Sequence, residues 1–267
     1  MCLHTNERSR MPNESQRERA TAHARRVARE RAHTMASEEA ERLALEHARK
    51  FARLAYRRAF REAFAMQQEF VSKRKAGLIP DQFLFVEHPH TVTMGRNAHE
   101  ENVLASPEIL EKTGIAYEHT DRGGDVTYHG PGQIIGYPIV DLRDWKRDVV
   151  AYVRALEEVL IRTLHDFGIE GERVQGCTGV WVSGKKIAAI GIHISRWVTS
   201  HGFALNYDTD LKYFEYIVPC GLTKPVTRMQ DLGCKASRQE VEQALLKHFT
   251  EVYSQAPVEP VLTMENV

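Results

Sequence analysis

The sequence predicts an α+β domain behind a charged helical extension, and three observations carry that prediction. Apolar residues recur at helical spacing in three separated stretches, while other stretches alternate, or run apolar, over strand lengths. These helices and strands mix without the strict alternation of a doubly wound sheet. The 267 residues, 42% hydrophobic and 27% charged, suffice for one sizeable core with an appendage.

Taken in order, the chain from Asn13 to Lys50 is dense in Arg, Glu and Ala, with interleaved signs and few large apolar residues. It reads as a solvated helical extension over residues 1–50. From Leu54 the apolar residues thicken through Phe60, Phe64, Met66, Phe70 and Val71, a helix that stops at Gly77 and Pro80. Phe83–Glu87 reads as a short buried strand, His88-Pro89-His90 as a loop and Thr91–Gly95 as the next strand. Val126–Tyr128 and Ile134–Val140 continue as strands around a Gly/Pro-rich loop. Val149, Val153, Leu156, Leu160, Leu164 and Phe167 share one helical face. The period then changes to two: Gly179–Val182, a turn at Ser183-Gly184, Lys185–Ser195 and Trp197–Asn206 predict an antiparallel meander. Ser237 and Glu240 fit a capping box ahead of Val241, Leu245 and Phe249. Residues 51–257 are thus expected to form one domain, and 258–267 a loose tail.

The bulk numbers narrow the function classes. Lys plus Arg and Asp plus Glu each total 36, so no basic surplus points to nucleic acid. The four cysteines form no Cys-x-x-Cys pair, which fits a reducing compartment better than a disulfide scaffold. No apolar run reaches membrane-spanning length, and the N-terminus has no apolar signal core. The expectation is a cytoplasmic protein that binds neither nucleic acid nor membrane.

Three segments could carry chemistry. In the first, Gly123 and Gly124 precede Val126-Thr127-Tyr128, and Gly130-Pro131-Gly132 follow, with Arg122 and His129 as polar brackets. Such glycines let backbone approach a ligand, although a plain Gly-rich hairpin would look the same. A dinucleotide loop fails, because the spacing is G-x-G-x-x-x-G and a strand follows instead of a helix. In the second, Lys186 shares strand parity with Ala188, Ile190, Ile192 and Ile194. An amine on an apolar face is expensive unless paired or neutral, or unless it sits at the strand edge and reaches water. In the third, Cys220 stands between Pro219 and Gly221, a loop position that suits an exposed nucleophile but also an inert small hydrophobe. His88, His90, His193 and His201 lack metal-ligand spacing and read as packed or solvated.

Together these segments resemble the lipoyl(octanoyl) transferase family over about Leu54–Gln255. The resemblance rests on Glu87-His88-Pro89 with Thr93-Met94-Gly95-Arg96, on the run from Arg122 to Gln133, on Lys186–Gly191, on Ser200–Asn206, and on Pro219-Cys220-Gly221. The extension before residue 50 is unusual for that family, and Ile190 replaces its familiar leucine. The resemblance implies a biotin/lipoate ligase-like mixed sheet flanked by helices. It implies an acyltransferase that moves octanoyl from octanoyl-acyl carrier protein to a lysine of lipoyl domains, those of 2-oxoacid dehydrogenases and glycine cleavage H protein. Cys220 would carry the acyl group as a thioester, with Lys186 beside it as the cation that favours thiolate and the base for the incoming amine. Substrate contacts are implied at Arg122, Gly123, Gly124, Asp125, Val126, Thr127, Tyr128 and His129, at Ala189, Ile190 and Gly191, and at Gly202, Phe203 and Ala204. No metal and no cofactor are implied, since the phosphopantetheine arm belongs to the donor; a monomer is expected. An ATP-dependent lipoate or biotin ligase on the same fold, a cysteine hydrolase and a non-catalytic lipoyl-domain scaffold remain the alternatives.

Overall fold

The computed structural model describes residues 57–218 and 224–253, and the backbone of 259–264. The extension and Cys220 lie outside the described residues. Within them, a first helix, α1, covers residues 57–75 and closes at Gly77, whose φ of +70° ends the helical run. The strands are β1 (Gln82–Val86), β2 (Thr91–Met94), β3 (Ala116–His119), β4 (Val126–His129), β5 (Gln133–Ile139), β6 (Glu172–Val174), β7 (Cys177–Val182), β8 (Lys185–Ser195), β9 (Val198–Asn206) and β10 (Glu259–Met264). The other helices are α2 (Pro107–Thr113), α3 (Val149–Asp166) and α4 (Arg238–Tyr253).

Seven strands form the main sheet in the order β10-β1-β5-β9-β8-β7-β6, and three form a small one, β3-β2-β4. Alternation along β5 shows how the main sheet is covered on both faces. Ile134 enters a core with Leu156, Leu160 and Leu164 of α3 and Leu245 and Phe249 of α4. Its neighbour Ile135, with Tyr137 and Ile139, packs instead with Val71 of α1. The small sheet has its own core, in which Val92, Val126 and Tyr128 meet Leu110 of α2 and Ile217. The predicted α3 face holds at Leu156, Leu160 and Leu164, fully buried and each stabilising by about 1.5–3 kcal/mol. Val149 in its first turn is exposed instead.

The meander β7-β8-β9 forms as expected. So does the capping box: the Ser237 N–H donates to Glu240 Oε2 at 2.7 Å, and the Glu240 N–H to Ser237 Oγ at 3.3 Å. One expectation is corrected. Within the span 258–267 expected to be a loose tail, Glu259–Met264 form β10, which pairs in parallel with β1 through Gln82↔Glu259 and Leu84↔Val261. The reason is an edge: β1 pairs with β5 on one side, leaving the other ladder for a returning strand. No helix among the described residues is long and apolar enough to cross a membrane.

Candidate active site

One loop of the small sheet reaches across to the main one, and the cleft opens beside it. Residues 120–125 connect β3 to β4. There the Gly123 N–H donates to the Ile192 carbonyl at 2.8 Å, on the part of β8 beyond its last pair with β7, Val180↔Ala188. Behind the loop, the Arg96 N–H donates to the Arg122 carbonyl at 2.9 Å and the Asn97 N–H to the Gly124 carbonyl at 3.2 Å. Gly95 is required by this approach, since a Cβ there would lie 2.3 Å from the Gly124 carbonyl oxygen. The Arg122 guanidinium turns inward, with Nη2 donating to the Thr93 carbonyl at 2.7 Å and to its hydroxyl oxygen at 2.9 Å.

Strand alternation sorts the glycine-rich segment. Arg122, Gly123, Gly124, Thr127 and His129 line the cleft. Val126 and Tyr128 point the other way, into the core of the small sheet. The Asp125 carboxylate accepts from the N–H groups of His99 at 3.0 Å and Val126 at 2.8 Å, and from the Asn102 amide. Asp125, Val126 and Tyr128 therefore shape the loop from behind, without facing the cleft.

The opposite wall is built by the β8–β9 pairs Ala189↔Ala204, Ile190↔Phe203 and Gly191↔Gly202, all six residues bordering, with side chain or backbone, a space of about 540 Å³ counted to its open mouth. The two glycines have different jobs. A Cβ on Gly191 would meet the Gly123 carbonyl oxygen at 3.0 Å and Arg122 Cδ at 3.3 Å, a tight fit against the loop. A Cβ on Gly202 would strike the Gly136 carbonyl oxygen at 2.1 Å. Gly202 therefore lets β5 and β9 approach closely and is not a source of room for a ligand.

The floor is aromatic and uncharged. Tyr137, Phe60, His129 and His201 line it. His88, buried beneath, shares a 2.7 Å hydrogen bond between its Nε2 and the Tyr137 hydroxyl. Burial, helped by the neighbouring His201, pushes His88 down to about 3. Burial also holds His129 well below the usual imidazole range, reinforced by His88 and Arg122. The same desolvation raises the Tyr137 hydroxyl. These rings are neutral near pH 7, which suits an apolar ligand.

Lys186 lines a second space, of about 890 Å³ including its opening to solvent, together with Cys177 and Val153. It shares Gly123, Gly124, Ile190 and Gly191 with the cleft, so the two spaces adjoin through one wall. At 9% exposure Lys186 does not reach out to water from the strand edge; its Nζ lies 4.9 Å from the Trp181 ring centroid. A bulge places it there, since Val180 pairs with Ala188 while Trp181 pairs with Lys186. The segment after Cys220 runs alongside: the Lys186 N–H donates to the Pro225 carbonyl and the Thr227 N–H to the Lys186 carbonyl, each at 2.9 Å. Among the described residues, no group of three or more His, Cys, Asp or Glu is arranged for a metal.

The predicted histidines do not form one cluster, although His193 and His201 both approach Asp121. His90 bonds to the Tyr128 hydroxyl through Nδ1 at 2.7 Å, and His193 lies 3.7 Å from Asp121. His201, expected to be an ordinary histidine, instead lines the cleft, as do Thr93, Thr120 and Tyr137. Thr93 and His201 stand inside motifs the sequence already displayed; Tyr137, within an apolar strand, gave no signal.

Residues 59–250 match the lipoyl protein ligase A/B catalytic domain. An octanoyltransferase of Solibacter usitatus is 60% identical over 194 residues, covering 73% of this chain and 88% of that relative. One from Koribacter versatilis is 51% identical over 209 residues, covering 76% and 82%. Among solved structures, the bi-partite lipoate protein ligase of Thermoplasma acidophilum superposes with a TM-score of 0.61 at 17% identity, over 74% of this chain and 82% of that one. A lipoate-protein ligase A bound with ATP gives 0.58 at 19%, over 68% and 76%. The structural likenesses establish the fold, and the sequence likenesses the branch: this chain belongs to the lipoyl protein ligase A/B catalytic domain family, among its octanoyltransferases.

Proposed function

We propose that this octanoyltransferase takes its acyl group from the thioester of octanoyl-acyl carrier protein, holds it on Cys220 and delivers it to a lipoyl-domain lysine. One observation carries the reading: Lys186, at 9% exposure, lines a space that shares a wall with the apolar cleft, and its backbone is hydrogen-bonded to the segment that follows Cys220. In the first step Cys220 Sγ attacks the thioester carbonyl. The carrier's C–S bond breaks, and its thiol leaves with a proton. In the second, the lysine amine attacks the new thioester, an amide forms, and the amine's proton passes by way of Lys186 to the released Sγ. No bond energy from ATP is needed, because thioester becomes thioester and then amide.

The Gly123 N–H already donates to Ile192, so the donor for a developing oxyanion lies elsewhere, at Gly191 or Gly221 in this reading. The cleft's neutral floor accepts the methylenes, each stabilising by about 0.8 kcal/mol when buried.

The test is direct. Incubated with octanoyl-acyl carrier protein in nucleotide-free buffer, the protein gains one octanoyl mass, and Cys220→Ser gains none. An adduct that survives Cys220→Ser, or that appears only with ATP, overturns the reading in favour of a ligase or a silent scaffold.

A further inference from the structure

His201 breaks the rule that governs its strand. By alternation it belongs with Phe203 and Leu205, which enter the α3–α4 core. Its ring lies on the other face instead, stacked on Phe64 of α1 at 5.6 Å and edge-on to Tyr137 at 6.1 Å. The cause is a backbone φ of +56°, a left-handed conformation unusual for so large a side chain.

Its neighbours show why the ladder permits this. Counting on from Gly136↔Phe203 to the bridge Asp141↔Val198 sets Pro138 opposite His201, and proline has no N–H to offer. The Pro138 carbonyl accepts from the Thr199 hydroxyl at 2.8 Å, and the His201 N–H donates out of the sheet to Gln67 Oε1 at 2.8 Å. The turned ring is then fixed at its far end. Its Nε2–H donates to Asp121 Oδ1 at 2.6 Å, and Asp121 is 41% exposed, whereas the His201 side chain is 6% exposed.

The ring thus stands between the cleft and a solvated carboxylate. Its position along the cleft is equally defined. Gly123, Gly124, Ile190 and Gly191 border both the cleft and the Lys186 space, whereas His201, Tyr137 and Phe60 border the cleft alone. The reacting carbonyl belongs at the shared wall, so the terminal methyl of an acyl chain points toward His201.

We infer that His201, held by Asp121, is the end wall of the acyl slot and sets the acyl length this enzyme accepts. The inference rests on the proposed acyl-enzyme reading, and it makes His201 a specificity-determining residue with Asp121 as its positioning partner. Imidazole suits this position. Buried, it is uncharged against a methyl terminus, yet it offers one N–H to lock its plane. Removing the ring opens a way from the slot to the solvent at Asp121, into which a longer chain extends.

The experiment measures initial rates of acyl-adduct formation by intact mass with octanoyl- and dodecanoyl-acyl carrier protein. It compares wild type, His201→Gly, His201→Asn and Asp121→Asn, each checked for a cooperative thermal melt. Glycine and asparagine both accept the left-handed backbone, so at least one is expected to fold. The dodecanoyl-to-octanoyl rate ratio is expected to rise about tenfold or more in His201→Gly, in line with the methylenes newly admitted, and less in the other two. Folded His201 variants with the wild-type ratio, or with both rates reduced in parallel, overturn the inference. Absence of any octanoyl adduct on wild type defeats the acyl-enzyme reading instead, so the two failures are told apart.

Discussion

At the scale of single residues, the two roles proposed for Lys186, cation and base, are separable by substitution. Lys186→Ala removes both cation and base, and the rate of acyl-adduct formation is expected to fall roughly a hundredfold or more in a stopped mass-spectrometric time course. Lys186→Arg keeps a permanent charge that cannot accept a proton. It is expected to retain adduct formation within about tenfold while losing transfer to the lipoyl lysine by a hundredfold or more. Equal loss of both steps in the Arg variant would show that charge is not what Lys186 supplies. Gly191→Ala tests the loop contact. Its Cβ has to displace the Gly123 carbonyl from 3.0 Å, so KM for the acyl donor is expected to rise while the melting temperature changes little. Gly202→Leu is, by contrast, a test of folding, since the side chain would meet the β5 backbone.

At the scale of elements, the sequence was most readable where one physical signal acted alone. The α4 start was visible because Ser237 and Glu240 cap each other locally, and Ser237→Ala is expected to cost about 1 kcal/mol, seen as a lower melting temperature by circular dichroism. The meander was visible because Ser183 and Gly184, both at positive φ, form a tight turn between period-two runs. β3 and α2 were not visible. The four residues Ala116–His119 alternate buried and open, too short a pattern to stand out from a loop. In the site, glycines and the Lys186 parity flagged segments that border the cleft and the space beside it. What they could not show was direction: Val126 and Tyr128 turn from the cleft because of strand alternation, and His201 turns into it because of a left-handed residue opposite Pro138. Such reversals depend on register, which no local spacing encodes.

At the scale of the whole molecule, buried imidazoles tie stability to pH. His88 binds its proton only near pH 3 when folded but near 6.5 when unfolded. The unfolded chain therefore holds the extra proton between those values, and stability falls as pH drops below about 6.5. His129 acts in the same direction. Each such proton contributes a slope of about 1.4 kcal/mol per pH unit, so urea unfolding midpoints of His88→Gln should decline less steeply than wild type between pH 6 and pH 4. Parallel slopes would mean that His88 accepts a proton without unfolding. Deleting residues 259–267 removes β10 and is expected to lower the melting temperature and to promote association, because β1 regains a free ladder. The Gly123–Ile192 hydrogen bond bears on solubility as well as on chemistry. It occupies β8 where β7 no longer covers it, so the loop that borders the cleft also denies that flank to any stray strand. A variant that loosens the loop would be expected to surrender turnover and gain a tendency to self-associate at the same time.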